Sequence, residues 1–120
     1  MLTYKTLVDE AKQKVPSFKT AYDKLVAEDY LDETSGNHTV FSLAFTPVLT
    51  NAIAQGDKET YGNMLAFLEE MAASDDKAVV EVCDYSVLEE LNDEIDLNTI
   101  EGMLGAKTKE GAEAVKQYLQ

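Results

Sequence analysis

The segment from residue 67 to residue 96, FLEEMAASDDKAVVEVCDYSVLEELNDEID, contains eleven carboxylate side chains and a single lysine. Carboxylates grouped in this way can hold a metal ion, transfer protons or attract a cationic partner. The apolar residues of the segment recur at intervals of three and four, which predicts two amphipathic helices. Some of these carboxylates must therefore simply face water, and the sequence pattern indicates which.

A helical wheel of residues 77–95 separates the carboxylates of the second helix. The predicted apolar arc contains Val80, Cys83, Val87, Leu91 and Ile95. Glu81, Glu89 and Asp93 fall outside that arc and are predicted to face solvent. Asp84 falls within it, about 40° from Val80. Such an aspartate lies at the rim of the core, is hydrogen-bonded to a neighbouring helix end, or lines a functional cleft. The structural interpretations are favoured.

Metal ligation is not expected from these residue types. Carboxylate-bridged metal sites in helical bundles need Glu-x-x-His pairs, and this chain has one histidine and no such pair. A calcium-binding loop needs glycine at its sixth position and glutamate at its twelfth. A loop counted from Asn92 has Leu97 and Met103 there. We therefore expect no metal and no cofactor.

Residues capable of nucleophilic or proton-transfer chemistry are few. His38 could act as a phosphorelay histidine, but GNHTVFSL lacks the lysine and glycine that usually surround one, so a helix-start hydrogen bond is favoured. Cys83 lies on an apolar stripe and is predicted to be buried and inert. Ser86 is preceded by Tyr85, which does not fit a modified acyl-carrier serine. Phosphate loops, nucleophile elbows and zinc spacings are also missing, so an enzyme is not expected.

The charge of the chain restricts its partners. The 23 acidic residues outnumber the ten lysines, arginine is missing, and the net charge is −13. Such a chain repels nucleic acids and anionic membranes, whereas a basic protein partner is favourable. The acidity could also serve only solubility. A single cysteine and an N-terminus without an apolar run predict a cytoplasmic protein. The length fits one domain, residues 1–120.

The elements that carry these residues are predicted to be helices. The pattern indicates an all-α domain of six or seven helices packed as antiparallel hairpins, either a HEAT-like stack or an irregular bundle. Predicted helix starts or N-caps are Thr3, Ser17, Asp57, the group Ser74, Asp75 and Asp76, and Thr108, and predicted ends are Val15, Gly56 and Gly105. Residues 39–46 alternate like a strand but also share a helical face. Helix is favoured there, kinked or restarted at Pro47.

Five pieces of sequence in order resemble an uncharacterised bacterial family of small helical proteins, catalogued as a domain of unknown function. They are Val15-Pro16, HTVFSLAFTPVL, QGDKETYGNMLAFLEEM, VVEVCDYSVLEEL and LGAKTKEG. The resemblance implies an all-helical fold, no catalytic residues and, from the neighbouring genes of some relatives, an immunity or antitoxin role. The family's recurring positions, matched here by His38, Glu69, Leu88, Glu89, Leu91 and Thr108, are those of caps and packing residues. The polar loop TSGN before His38 departs from the family pattern.

We therefore expect a protein-binding module whose acidic helices contact a basic partner. The partner-binding residues predicted from the sequence are Glu69, Glu70, Glu81, Asp84, Glu89, Glu90, Asp93 and Glu94. A small-molecule or catalytic pocket near Asp84 and His38 is the alternative, and an oligomeric scaffold is a third. The sequence leaves the oligomeric state open.

Overall fold

The computed structural model describes residues 2–118, which form seven helices and no strand. The helices are α1 (Leu7–Lys14), α2 (Pro16–Ala27), α3 (residues 37–55), α4 (Lys58–Ala72), α5 (residues 77–94), a 3-10 helix (Leu97–Met103) and α6 (Ala106–Tyr118). The predicted all-α class with six or seven helices is confirmed. Within the described range the helices are too short or too polar to cross a bilayer.

Two of these helices contain an internal π-helical turn. Helix α3 consists of Asn37–Val40, the π segment Phe41–Phe45 and Thr46–Gln55, and the backbone stays right-handed at both junctions. Residues 39–46 are therefore helical, as favoured from the sequence. Pro47 lies just after the π segment. A proline inside a helix cannot donate a backbone hydrogen bond, and its ring clashes with the carbonyl four residues before it. A locally widened turn relieves that clash.

Helix α5 consists of Lys77–Glu81, the π segment Val82–Leu88 and Glu89–Glu94. This second π segment contains neither proline nor glycine, so the sequence supplies no comparable cause for it. The predicted wheel of residues 77–95 is partly wrong as a result. Val79, Val82 and Ser86 are buried although they lie outside the predicted arc, whereas Val80 is only partly buried. A π turn changes the angular step between residues, and the buried face of the helix shifts with it.

Several helix ends follow the predicted capping chemistry. The side chain of Asp57 accepts a hydrogen bond from the Thr60 amide at the start of α4. Asp76 does the same for the Ala78 amide at the start of α5. Gly56 ends α3 with a left-handed φ of 71°, which glycine adopts without a steric penalty. These three predictions are confirmed.

Three predicted starts are wrong. Thr3 does not cap α1, which begins at Leu7; the carbonyl of Thr3 instead closes a turn with the Thr6 amide. Helix α2 begins one residue before Ser17, because Pro16 has a fixed φ and needs no hydrogen bond at the first helical position. Thr108 is the third residue of α6 rather than its N-cap.

The core is built around four phenylalanines. The ring centroids of Phe18 and Phe41 lie 5.4 Å apart, and those of Phe41 and Phe45 lie 5.1 Å apart. Phe67 of α4 extends this cluster from Phe45, at 6.2 Å. All four rings are fully buried. Consecutive α-helices pack together, α4 also packs against α6, and α3 packs against α5 along their π segments. This last contact positions the site described next.

Candidate functional site: an acidic cleft between α3 and α5

Three hydrogen bonds join α3 to α5 along one line. The His38 ring nitrogen Nδ1 lies 2.7 Å from Ser86 Oγ, and Ser42 Oγ donates to Glu90 Oε2 at 2.6 Å. Thr46 Oγ1 donates to the buried Ser86 carbonyl, also at 2.6 Å. The three α3 residues follow one another at intervals of four, so they share one helix face. They hold the two π segments at a fixed separation.

Beside these bonds, α3 and α5 enclose a cleft of about 510 Å³. Its α3 wall is formed by hydroxyl and amide side chains, namely those of Ser42, Thr46, Thr50 and Asn51. Its α5 wall is formed by the carboxylates of Glu90, Asp93 and Glu94. We refer to this feature as the acidic cleft. Its size is within the range of ligand sites, and it can also receive a side chain of another protein.

The acidic cleft carries uncompensated negative charge. None of the residues that line it is a lysine. Within residues 2–118, Glu90, Asp93 and Glu94 take no part in any ion pair. The Ser42 hydroxyl fixes Glu90 from the opposite wall, while Asp93 and Glu94 are exposed. The arrangement therefore suits a ligand group that carries positive charge and donates hydrogen bonds, such as an ammonium or a guanidinium.

The described side chains include no group of three or more histidine, cysteine or carboxylate residues placed to hold a metal ion. Glu90, Asp93 and Glu94 of the acidic cleft are therefore not arranged as such a metal site.

Glu69 has a structural role. Its Oε1 accepts hydrogen bonds from the Thr108 amide and from Thr108 Oγ1, both at 2.9 Å, and its Oε2 accepts one from the Lys107 amide at 3.0 Å. Glu69 thus caps the N-terminus of α6 from α4, and the predicted cap by Thr108 itself is wrong. Burial opposes the ionised form, but the hydrogen bonds from Thr108 and Lys107 outweigh it and lower the pKa of Glu69.

Glu70 and the first carboxylates of α5 lie in different surroundings. Glu70 forms an ion pair with Lys14 at 2.8 Å, and both side chains are about half exposed. Glu81 and Glu89 are partly buried. The eight carboxylates predicted as one partner-binding surface are therefore divided. Glu69 caps a helix, Glu70 is paired, and three others form the acidic cleft.

Asp84 is partly buried at the contact between α5 and α6. Its Oδ1 atom is buried and has no hydrogen-bond partner among the described residues. It faces Gly111 of α6, where an added methyl group would lie 2.6 Å from Oδ1. Burial, and secondarily the nearby charge of Glu81, raise the pKa of Asp84. Asp84 is thus at the rim of the core, with one carboxylate oxygen buried and unsatisfied.

The structure does not bring Asp84 and His38 together. His38 contacts Ser86, whereas Asp84 faces α6. Asp84 and Ser86 are two residues apart on one helix, so their side chains point to different faces. His38 and Ser86 resemble a base–nucleophile pair, but Ser86 is only 4% exposed and its hydroxyl is already hydrogen-bonded to the His38 ring. The pair is better explained as a link between α3 and α5.

Cys83 of α5 is fully buried. Its Sγ lies 3.9 Å from the Leu68 carbonyl oxygen, and burial raises the pKa of the thiol far above its ordinary value. The thiolate that reacts with electrophiles or metals is therefore not formed at neutral pH. This environment agrees with the prediction that Cys83 is buried and inert.

The structure is that of a small all-helical protein with a polar, negatively charged cleft between two π-containing helices. Residues 8–120 match the model of a family described as a domain of unknown function (DUF7674), and the chain belongs to that family. No curated protein and no solved structure matches the chain.

Proposed function

We propose that this protein is a cytoplasmic protein-binding module whose acidic cleft receives lysine or arginine side chains of a basic partner. In its concrete form the protein acts as an immunity protein and occludes a basic toxin or effector. The observation that carries the proposal is the α5 wall, on which Glu90, Asp93 and Glu94 line one cleft without a compensating cation.

The net charge of −13 also supports the proposal of a basic partner. A strongly acidic protein accelerates its encounter with a basic one and disfavours acidic competitors. The hydroxyl and amide groups of the α3 wall add acceptors that a lysine or arginine needs once it leaves water. The resemblance to a family with relatives near toxin–immunity genes points to the same class of partner.

The test is an affinity pulldown from a lysate of the source cell, carried out at roughly 50 mM and 300 mM salt, since the Debye length shortens over this range. The wild-type protein should retain a basic protein at low salt and release it at high salt. A triple variant with Glu90→Gln, Asp93→Asn and Glu94→Gln should not retain it.

The control carries the same change of three charges away from the acidic cleft, with Glu28→Gln, Asp29→Asn and Glu59→Gln. These three residues are exposed, and none lines the acidic cleft. The control should retain the partner nearly as well as the wild type does. If both triple variants lose the partner equally, only net charge matters and the acidic cleft is not the binding site.

A further inference from the structure

A second groove is lined by residues between 5 and 40 and shares no lining residue with the acidic cleft. Its lining includes lysines as well as carboxylates. It has a volume of about 410 Å³ and lies between α1, α2 and the loop that precedes α3. Lys5, Asp9 and Lys12 line it from the first part of the chain, and Asp32 and Glu33 line it from the loop, so two lysines and three carboxylates share the groove. We refer to it as the mixed-charge groove.

The two lysines of the mixed-charge groove are not held in ion pairs by its carboxylates. Within the described residues, neither lysine forms an ion pair with a carboxylate. The Lys12 ammonium instead lies 3.9 Å from the centre of the Tyr22 ring, so it is held over an aromatic face. An ammonium held in this way keeps its donors available to an anionic group.

One carboxylate of the groove, that of Asp32, is held in place before any ligand binds. Asp32 Oδ1 accepts hydrogen bonds from the Thr34 amide at 2.7 Å and from its hydroxyl at 2.5 Å. These bonds lower the pKa of Asp32, so its carboxylate stays ionised. Glu33 has no hydrogen bond or ion pair in the described part of the chain, which leaves it available to a cationic group. Fixed side chains reduce the entropy lost when a ligand binds.

We propose that the mixed-charge groove binds a small zwitterion, with the ligand's carboxylate on Lys5 and Lys12 and its ammonium on Asp32 and Glu33. Free α-amino acids and short peptides share this chemistry. Val8, which also lines the groove and is only partly buried, provides apolar contact for a side chain. The acidic cleft lacks cations among its lining residues and cannot hold the carboxylate, so the proposal is independent of the proposed protein partner.

The test is titration of the isotope-labelled full-length protein followed by amide chemical shifts. The probes are leucine and the dipeptide leucyl-leucine, each compared with N-acetyl-leucine, which lacks the ammonium, and leucinamide, which lacks the carboxylate. We expect saturable shifts at residues 5–12 and 32–35 with at least one zwitterion. Each singly charged derivative should bind at least about tenfold more weakly, because it loses one charge-assisted contact.

Matched variants separate the groove from general charge. Lys12→Gln and Glu33→Gln should each weaken the zwitterion by about tenfold or more. Lys24→Gln and Glu28→Gln make the same changes at exposed positions outside the groove and should leave the affinity unchanged. The proposal is overturned if neither zwitterion gives saturable shifts up to roughly 10 mM. Equal binding of the singly charged derivatives, or shifts confined to the acidic cleft, would also overturn it.

Discussion

Replacing Asp84 with asparagine should stabilise the protein at neutral pH. The buried Oδ1 atom has no partner; an unsatisfied buried polar group costs about 1–3 kcal/mol, and a charged carboxylate costs more than the neutral amide that replaces it. Because Asp84 is only partly buried, and its exposed part keeps its hydration, the lower end of that range applies. Asparagine keeps the shape of the side chain and removes its charge. We therefore expect a gain of about 1 kcal/mol, or roughly 4 °C in Tm for a domain of this size.

The pH dependence of this gain follows from the raised pKa of Asp84. A carboxyl whose pKa is higher in the folded state binds its proton more tightly there, so acidification relieves its penalty. The cost of Asp84 is therefore complete above its raised pKa and absent below the ordinary value of 3.8. The stability advantage of Asp84→Asn over the wild type should be full at pH 7 and should decline towards zero near pH 3.5.

Urea unfolding at pH 7, 5 and 3.5 measures this difference directly. The control is Asp93→Asn, which makes the same chemical change on the same helix at an exposed position. This control separates two contributions to the gain in stability. One comes from relieving the desolvation of the Asp84 carboxylate, and the other comes from lowering a net charge of −13. The reasoning is refuted if Asp84→Asn gains no more than Asp93→Asn at pH 7, or if its gain is the same at all three pH values.

Further predictions concern how α6 is attached and how glycine is used. Glu69→Gln should destabilise the protein by about 1–2 kcal/mol at pH 7, because its charge-assisted cap of α6 is weakened, whereas Glu70→Gln, at an exposed ion pair, should cost under about 1 kcal/mol in the same urea assay. Since the pKa of Glu69 is lowered by folding, the difference from wild type should shrink as the pH falls through that pKa. Gly105→Ala should destabilise the protein, because its methyl group would overlap the Glu69 carboxylate, and a double-mutant cycle with Glu69→Gln should be non-additive. Gly62→Ala, inside α4 with open space around the added methyl group, should instead raise the stability by about 0.5–1 kcal/mol in thermal unfolding.

Local chemistry was enough to predict most of the helices. The caps at Asp57 and Asp76 and the left-handed Gly56 each act within a few residues, so they are visible in a short stretch of sequence. Thr108 shows where this method fails. A threonine near a helix start looks like an N-cap, but the cap comes from Glu69, 39 residues away. Only the packing of α4 against α6 brings that carboxylate to the helix end.

The acidic cleft was only partly predictable for a related reason. Glu90, Asp93 and Glu94 were recognisable as acidic, but the opposite wall belongs to α3. His38, Ser42 and Thr46 recur at intervals of four, and this polar stripe within an apolar helix was the available signal for an α3–α5 contact. The π segment of α5 had no such signal, and it shifted the buried face away from the predicted arc.

The division of the acidic residues has a consequence for how the surface can evolve or be redesigned. Glu69 and Thr108 are required by α6, so changes there alter stability before they alter binding. Asp93 and Glu94 are exposed and make no described contact, so they can vary at little cost to the fold. Glu90 lies between these cases, since its carboxylate both lines the acidic cleft and accepts the Ser42 hydroxyl. A cleft built this way keeps one anchored carboxylate beside two that can vary. Specificity for the proposed basic partner would then change through positions 93 and 94, while the α3–α5 contact that forms the cleft is preserved.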